Sequence, residues 1–385
     1  MEIELTPEDV EKTVKLTRDM VRVNTENPPG NEDELAGPVE DYLQDLGIET
    51  ERVELEEGRS SVLGTIPGKS EGSVVLCGHL DTVRADESSW DKPPFDGVIE
   101  GGRLHGRGSA DMKGGVAAIM QLARLVVESH ATPERTIKLA LTADEEHGYT
   151  GAKSLVDKGK LSDAEFLIVT EPTDGNVYIG QRGELWVKAK FHGKAAHGSI
   201  PETGLNSILP GARFALKIQK RKEELFTDAS LGATSLNIGR FDGGWQVNVV
   251  PEETTLKLDY RVISHDHKEE ILGQVEETGG ELAEESGTTF TFSTMTYKSP
   301  IISDSTDYYV EKFFNVAKEY TAEEKIGGIA PYSTDATAIV PELDIPVIIY
   351  GPGSIELAHQ PNEFLDLDSL EESLRLLRSF VGSAL

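Results

Sequence analysis

The stretch SVVLCGHLDTV, residues 73–83, climbs through four apolar residues and breaks at a glycine into His79 and Asp81. A run that is apolar at every position, and not at every second one, predicts a strand buried on both faces, as in a parallel sheet covered by helices. Two later stretches repeat the form. IKLALTADEEHG at 137–148 passes from an apolar strand into three acids, and FLIVTEPT at 166–173 passes from an apolar strand into Glu171. Helical spacing fills the intervals. Residues 7–25 carry Val10, Val14, Leu16 and Val21 behind a Thr6–Pro7 start, 33–47 reads as a second helix stopped by Gly47, and 112–129 reads as a long helix leaving a glycine-rich loop. A Pro/Gly break, NPPGNE at 27–32, and a short strand, SVLGTI at 61–66, complete the segment. Strands alternating with helices predict an α/β fold with a mixed, largely parallel sheet flanked by helices.

From about residue 183 the pattern changes. LWVKAKFHG alternates apolar and polar residues, as a half-solvated antiparallel strand does. A helix near 206–221, strands near 235–241 and 253–262, a helix near 266–284 and a strand at 289–295 follow. That β-α-β-β-α-β order predicts an inserted α+β (ferredoxin-like) domain over 181–294. After 300 the first texture resumes with a helix at 305–320, the strand IPVIIYG at 345–351 and a helix at 368–381. Residues 1–180 and 295–385 are therefore expected to form one domain.

Composition excludes several classes of function. The 385 residues carry 68 acids against 37 Lys and Arg, a formal charge of −31. Such a polyanion repels nucleic-acid phosphates and anionic membrane surfaces, so neither partner is expected. The single cysteine, Cys77, excludes an internal disulfide and a thiolate zinc site. The opening MEIELTPEDVEK lacks a basic-then-apolar leader pattern, and no apolar run reaches the roughly 18–20 residues of a membrane span. A soluble, cytoplasmic protein is expected. The acid excess itself has two readings. It keeps molecules apart, or it marks a very salty, halophilic cytoplasm, where the screening length at about 1 M falls to about 3 Å. Acids spread through EIELTPEDVE, ETERVELEEG and ETGGELAEES, not gathered in one tail, favour the second.

The residues able to do chemistry gather where strands should end. His79 and Asp81 are two apart and share one face of an extended segment. Asp111, in GRGSADMKGG, precedes a helix, where an isolated aspartate is ordinarily a cap; the glycines around it lack phosphate-loop spacing. Glu145 and Glu146 leave an apolar strand, where adjacent acids are costly unless a positive charge sits beside them. Glu171 ends FLIVT, and His359 lies in GPGSIELAHQPNE. Ligands in open α/β sheets collect at the carboxyl ends of strands. His79, Asp111, Glu146, Glu171 and His359 supply two imidazoles and three carboxylates without a thiol. That set suits two divalent ions per subunit (Zn2+ or Co2+, with Mn2+ a third option) sharing one carboxylate. Glu145 is left over as a general base, which a hydrolase needs. No G-x-S-x-G occurs, which argues against a serine hydrolase.

The ordered set NPPGNE, GHLDTV, GRGSADMKGG, ADEEHGYTGA, TEPT, GKAAHGSIPETGLNSI, VNVVPE, LDYRV, STDA, YGPGS and AHQPNE resembles the M20 family of metallo-aminoacylases and peptidases across nearly the whole chain. The nearest branch is that of acetylornithine deacetylase and succinyl-diaminopimelate desuccinylase. The resemblance implies that His79 and Glu171 hold one metal, that Glu146 and His359 hold the other, and that Asp111 bridges them. It implies that Asp81 orients the His79 ring, and that Glu145 carries a proton from the attacking water to the leaving amine. The inserted domain would be a lid and dimerisation domain forming a homodimer, in which His197 reaches the other subunit's site to stabilise the oxyanion. Asn248 and Arg261 would contact substrate, Arg261 as a clamp for its α-carboxylate. Tyr332, Ser333, Thr334 and Asp335 stand where the branch reads G-T-S-D. That loop shapes the acyl pocket, with Ser333 as a substrate contact, so acetyl and succinyl groups both stay open. The expected activity is hydrolysis of a small N-acyl-amino acid to a carboxylate and a free amine. A metallo-exopeptidase or dipeptidase on the same scaffold is the alternative.

Overall fold

The computed structural model describes residues 4–384 apart from 226 and 229–231. The chain forms two compact units. One comprises the chain up to Gly180, Ile301–Ala330 and the chain from Thr334 onward; the other comprises Gln181–Pro300 and Pro331–Ser333.

In the first unit a nine-stranded sheet runs Glu49–Glu56, Arg59–Ile66, Arg135–Thr142, Ser70–His79, Ala164–Pro172, Val347–Gly351, Val177–Gln181 and Ile301–Ile302, with Ile326–Ala330 paired to Val177–Gln181. Its centre is parallel: Arg135–Thr142, Ser70–His79, Ala164–Pro172 and Val347–Gly351 all point the same way. Arg59–Ile66 joins antiparallel, and so does Glu49–Glu56 beyond it. Burial explains the continuous apolar runs. Val74, Leu76, Leu139, Phe166, Ile168 and Ile348 belong to one core cluster with the helices Pro7–Val21, Gly114–Glu128, Tyr308–Ala317 and Leu367–Ala384. The intervening Val75, Cys77, Ala140, Leu167, Val169 and Ile349 are equally buried and, at period two, face the other side. There Thr150–Asp157 and Ala336–Leu343 lie against the strands and each other.

The expected strands and long helices are all present, with revised ends. The first helix spans Pro7–Val21 and starts with a capping box, in which the Thr6 hydroxyl accepts from the Asp9 amide and the Asp9 carboxylate accepts from the Thr6 amide. The expected 112–129 helix begins at Gly114, because Asp111 and Met112 have non-helical backbone angles. Asp111 is thus not its cap. The edge strand Glu49–Glu56 buries only Val53 fully, so it left no periodic signal. The helix Ala336–Leu343 is short and contains Pro341, which hid it equally well.

The second unit is an antiparallel sheet ordered Ser235–Gly243, Glu253–Val262, Gly183–His192 and Thr289–Lys298. Helices Ile208–Arg221 and His267–Ser286 cover it. Leu185, Val187, Ala189 and Phe191 enter its core while Trp186 stays exposed, the alternation that LWVKAKFHG foretells. The unit extends to Pro300, past the expected 294, because Thr289–Lys298 pairs along Gly183–His192 as far as Lys298 opposite Glu184.

Candidate active site

The ends of the four parallel strands bring the chemistry together. His79 is the last residue of Ser70–His79, Glu171 lies one residue from the end of Ala164–Pro172, and Glu145 and Glu146 sit just beyond Arg135–Thr142. His359 lies in the loop after Val347–Gly351, and Asp111 lies in the loop before Gly114–Glu128. The paired glycines at that helix start serve close approach, since a Cβ on Gly115 would lie 2.1 Å from the Thr170 carbonyl oxygen. The loop therefore rests directly on the strand that carries Glu171.

Asp111 occupies the centre. Its Oδ1 lies 3.1 Å from His79 Nε2, which is also 3.8 Å from Glu171 Oε1. Its Oδ2 lies 3.3 Å from His359 Nε2, which is 3.0 Å from Glu146 Oε2. Two ligand groups result, His79–Asp111–Glu171 and Asp111–Glu146–His359, each with donor atoms within 4.8 Å of one another. One carboxylate thus serves each group with a different oxygen.

The electrostatics show what this cluster requires. Burial pushes the Glu145 and Glu171 carboxyls well above the usual range, and neighbouring carboxylates add to the effect. Burial would depress His79, but its hydrogen bond to Asp111 and the charges of Glu171, Glu145 and Asp111 outweigh it and raise the imidazole well above its ordinary value. Hydrogen bonds to Asp111 and Glu146 raise His359 to about 10. Retained protons thus balance negative charge that divalent cations would otherwise balance. Glu146 Oε1, moreover, is buried with no hydrogen-bond partner, an orphaned acceptor beside a histidine. Nitrogen and oxygen donors, a shared carboxylate and an orphaned oxygen fit a pair of divalent ions.

The sequence from residue 75 to 383, which holds every residue of this cluster, matches the model of peptidase family M20/M25/M40. The chain belongs to that family. It is an M20 hydrolase. A Staphylococcus aureus protein named probable succinyl-diaminopimelate desuccinylase is 29% identical over 388 residues, covering 92% of this chain and 93% of that protein. A Photorhabdus laumondii protein named acetylornithine deacetylase is 27% identical, covering 88% and 87%. Among solved structures, a tripeptidase from Staphylococcus aureus superposes with a TM-score of 0.82 at 21% identity, covering 97% of each chain, a likeness of fold.

Around the cluster the structure places Asp81, expected to orient the His79 ring, and adds Asn27, Arg107 and Glu363, which the sequence did not single out. Asp81 is fully buried, but the atom it offers His79 Nδ1 is its main-chain oxygen at 2.9 Å; its carboxylate stands 3.6 Å away. That carboxylate instead accepts the amides of Glu145 (3.2 Å) and Glu146 (3.1 Å) and the Asn27 side chain (2.9 Å). Orienting the ring with a carbonyl frees the carboxylate to hold the acidic turn. Glu363, in AHQPNE, pairs with Arg107 at 2.6 Å and accepts the amides of Gly108, Ala110 and Asp111 at 2.9–3.1 Å, which fixes the loop bearing Asp111. Asp335 is buried, with Oδ2 accepting from Thr142 and from the Cys77 thiol and Oδ1 unpaired. Burial and that carboxylate raise the Cys77 thiol well above its normal value, so it is no nucleophile.

His197, Asn248, Arg261 and Ser333 lie in the second unit. His197 is exposed, and its Nδ1 accepts the Ser199 amide at 3.2 Å, so the neutral ring carries its proton on Nε2. Its strand-like pairing with Val249 sets it beside Asn248, also exposed. Arg261 is already engaged, by Glu184 at 3.1 Å and Asp259 at 3.1 Å. A substrate carboxylate would have to displace one of them. The Ser333 hydroxyl donates to the Arg182 carbonyl at 3.4 Å.

Proposed function

We propose that the chain hydrolyses the amide of an N-acyl-amino acid of the N-acetylornithine or N-succinyl-diaminopimelate type. The observation carrying this reading is Asp111, whose two oxygens serve two histidine–glutamate pairs, with Glu145 adjoining one of those glutamates. His79 and Glu171 would hold one ion, Glu146 and His359 the other, and Asp111 both. Divalent ions such as zinc or cobalt, if held there, would supply polarisation of an amide carbonyl and acidification of water. Glu145 takes the proton of the attacking water and delivers it to the leaving nitrogen, a role open to a buried carboxyl beside the ligand Glu146. His197 supplies its Nε2 proton to the oxyanion, and Asn248, Arg261 and Ser333 contact substrate. The named relatives support this substrate class. The test is kcat/KM for acetylornithine, succinyl-diaminopimelate and a set of di- and tripeptides, after cobalt or zinc loading, in low and molar KCl. An N-acyl-amino acid is expected to be the best substrate, with higher activity in molar salt. Better turnover of the peptides would establish the exopeptidase reading instead, and full activity without added salt would remove the halophilic one.

Dimerisation through the second unit is part of the same proposal. Helix Ile208–Arg221 exposes Leu209, Ala212 and Leu216 along one side, with Leu216 77% exposed, and Ser235–Gly243 ends the sheet as an open edge. A second copy would cover both. Sedimentation is expected to show a dimer that Leu216→Glu dissociates; a monomeric wild type at micromolar concentration would refute it. No described helix is long and apolar enough to cross a membrane.

A further inference from the structure

We infer that Asp144 is a positioning residue that latches the turn presenting Glu145 and Glu146. The inference rests on the roles proposed for those two glutamates. Asp144 adopts φ of +66°, in the left-handed region, two residues beyond the end of the strand Arg135–Thr142. Among residues with a side chain, aspartate and asparagine tolerate that region best. Here the turn depends on it, because its φ sets the direction in which the next two side chains leave the backbone.

Every polar atom of Asp144 is used. Oδ1 accepts from Asn27 Nδ2 and from Arg59 Nη2, both at 2.9 Å, and Oδ2 accepts from the Thr150 hydroxyl at 2.6 Å. Its amide donates to Glu32 Oε1 at 3.1 Å, and its carbonyl accepts from Gly148 and Tyr149. Arg59 completes the latch by gripping Glu32 with two further hydrogen bonds, at 2.6 and 2.9 Å. The guanidinium places a buried positive charge behind three acids in sequence, so Asp144 can stay ionised beside Glu145 and Glu146. Asn27 donates to Asp81 as well, and Asp81 holds the amides of both glutamates. Latch and turn therefore form one continuous network. Without the carboxylate only the main-chain bonds of residue 144 and the Asp81 grip on the next two amides oppose its relaxation out of the left-handed region. That relaxation would swing Glu145 and Glu146 together.

The test compares Asp144→Ala, Asp144→Asn and Thr150→Val with the wild type in three readouts: cobalt equivalents bound by apoprotein, the cobalt absorption spectrum, and kcat and KM. Asp144→Ala is expected to bind one tight equivalent in place of two, keeping the His79–Asp111–Glu171 group, and to lose about 100-fold in kcat, the scale of an ångström-sized misplacement. Asp144→Asn tolerates the left-handed angle and keeps an acceptor, so it should recover both equivalents and most of kcat. Should Asp144→Ala fail to fold, Thr150→Val, which touches no glutamate, is expected to weaken the second equivalent about tenfold. Two tight equivalents, an unaltered spectrum and normal kcat in Asp144→Ala, or in Thr150→Val if the first is unfolded, would overturn the inference. A Glu145→Gln control separates the two levels. If that variant turned over normally the base assignment would fall, whereas lost metal in Asp144→Ala would still uphold the latch.

Discussion

Glu145→Gln lowers kcat by about 10²–10⁴-fold, the range a positioned general acid–base contributes, and leaves two metal equivalents bound. The amide keeps the shape of the carboxyl but cannot take a proton from water. It should not harm the fold, because the buried carboxyl is replaced by an uncharged amide of the same shape and volume. Thermal unfolding of the metal-loaded variant is therefore expected near the wild-type temperature. Metal analysis and melting, run on the sample used for kinetics, check all three statements. Retained turnover would remove Glu145 from the mechanism, and loss of metal would make it a ligand.

Chelation is the second large effect. Stripping both ions should abolish hydrolysis and lower the unfolding temperature, and adding zinc or cobalt back should restore both. The stability term follows from mass action. An ion held at about 1,000 times its dissociation constant contributes about 4 kcal/mol per site, and each kcal/mol moves a domain of 150–250 residues by roughly 2–4 °C. With both sites emptied, about 8 kcal/mol in all, a fall of roughly 15–30 °C is therefore expected. The cluster makes this direction firm, since removing cations leaves Asp111, Glu146 and Glu171 facing one another with only two imidazoles between them. Full activity at less than a tenth of an equivalent of metal per chain would sink the two-metal reading.

The comparison of sequence with structure turns on reach along the chain. His79, Glu146 and Glu171 were legible because each ends or follows an apolar run and parallel strands deliver their ends to one edge, whereas Asp111 and His359, in loops, stood out only by motif order. The residues holding them were not. Arg59 lies in EEGRSS, which reads as a charged surface turn, yet it is buried against Glu32 and Asp144, 85 positions away. Glu363 closes the motif AHQPNE and gave no sign that it holds the amides of Ala110 and Asp111, more than 250 positions upstream. Arg261 looked like a free cation for substrate, whereas register places it opposite Glu184 across the ladder.

The sequence by itself determined the strand–helix alternation, the inserted α+β segment and the family, because periodicity and motif order are local, and side-chain chemistry made the donor set an expectation. Only the tertiary structure decided that Asp111 divides its two oxygens between two histidines, that Asp81 serves the acidic turn more closely than the ring, and that Asp144 is locked in a left-handed conformation. Those outcomes depend on distances between segments remote in the chain. Burial supplies the energy that sets them: away from water a carboxylate must find donors or cations, and the fold alone fixes which ones lie within reach.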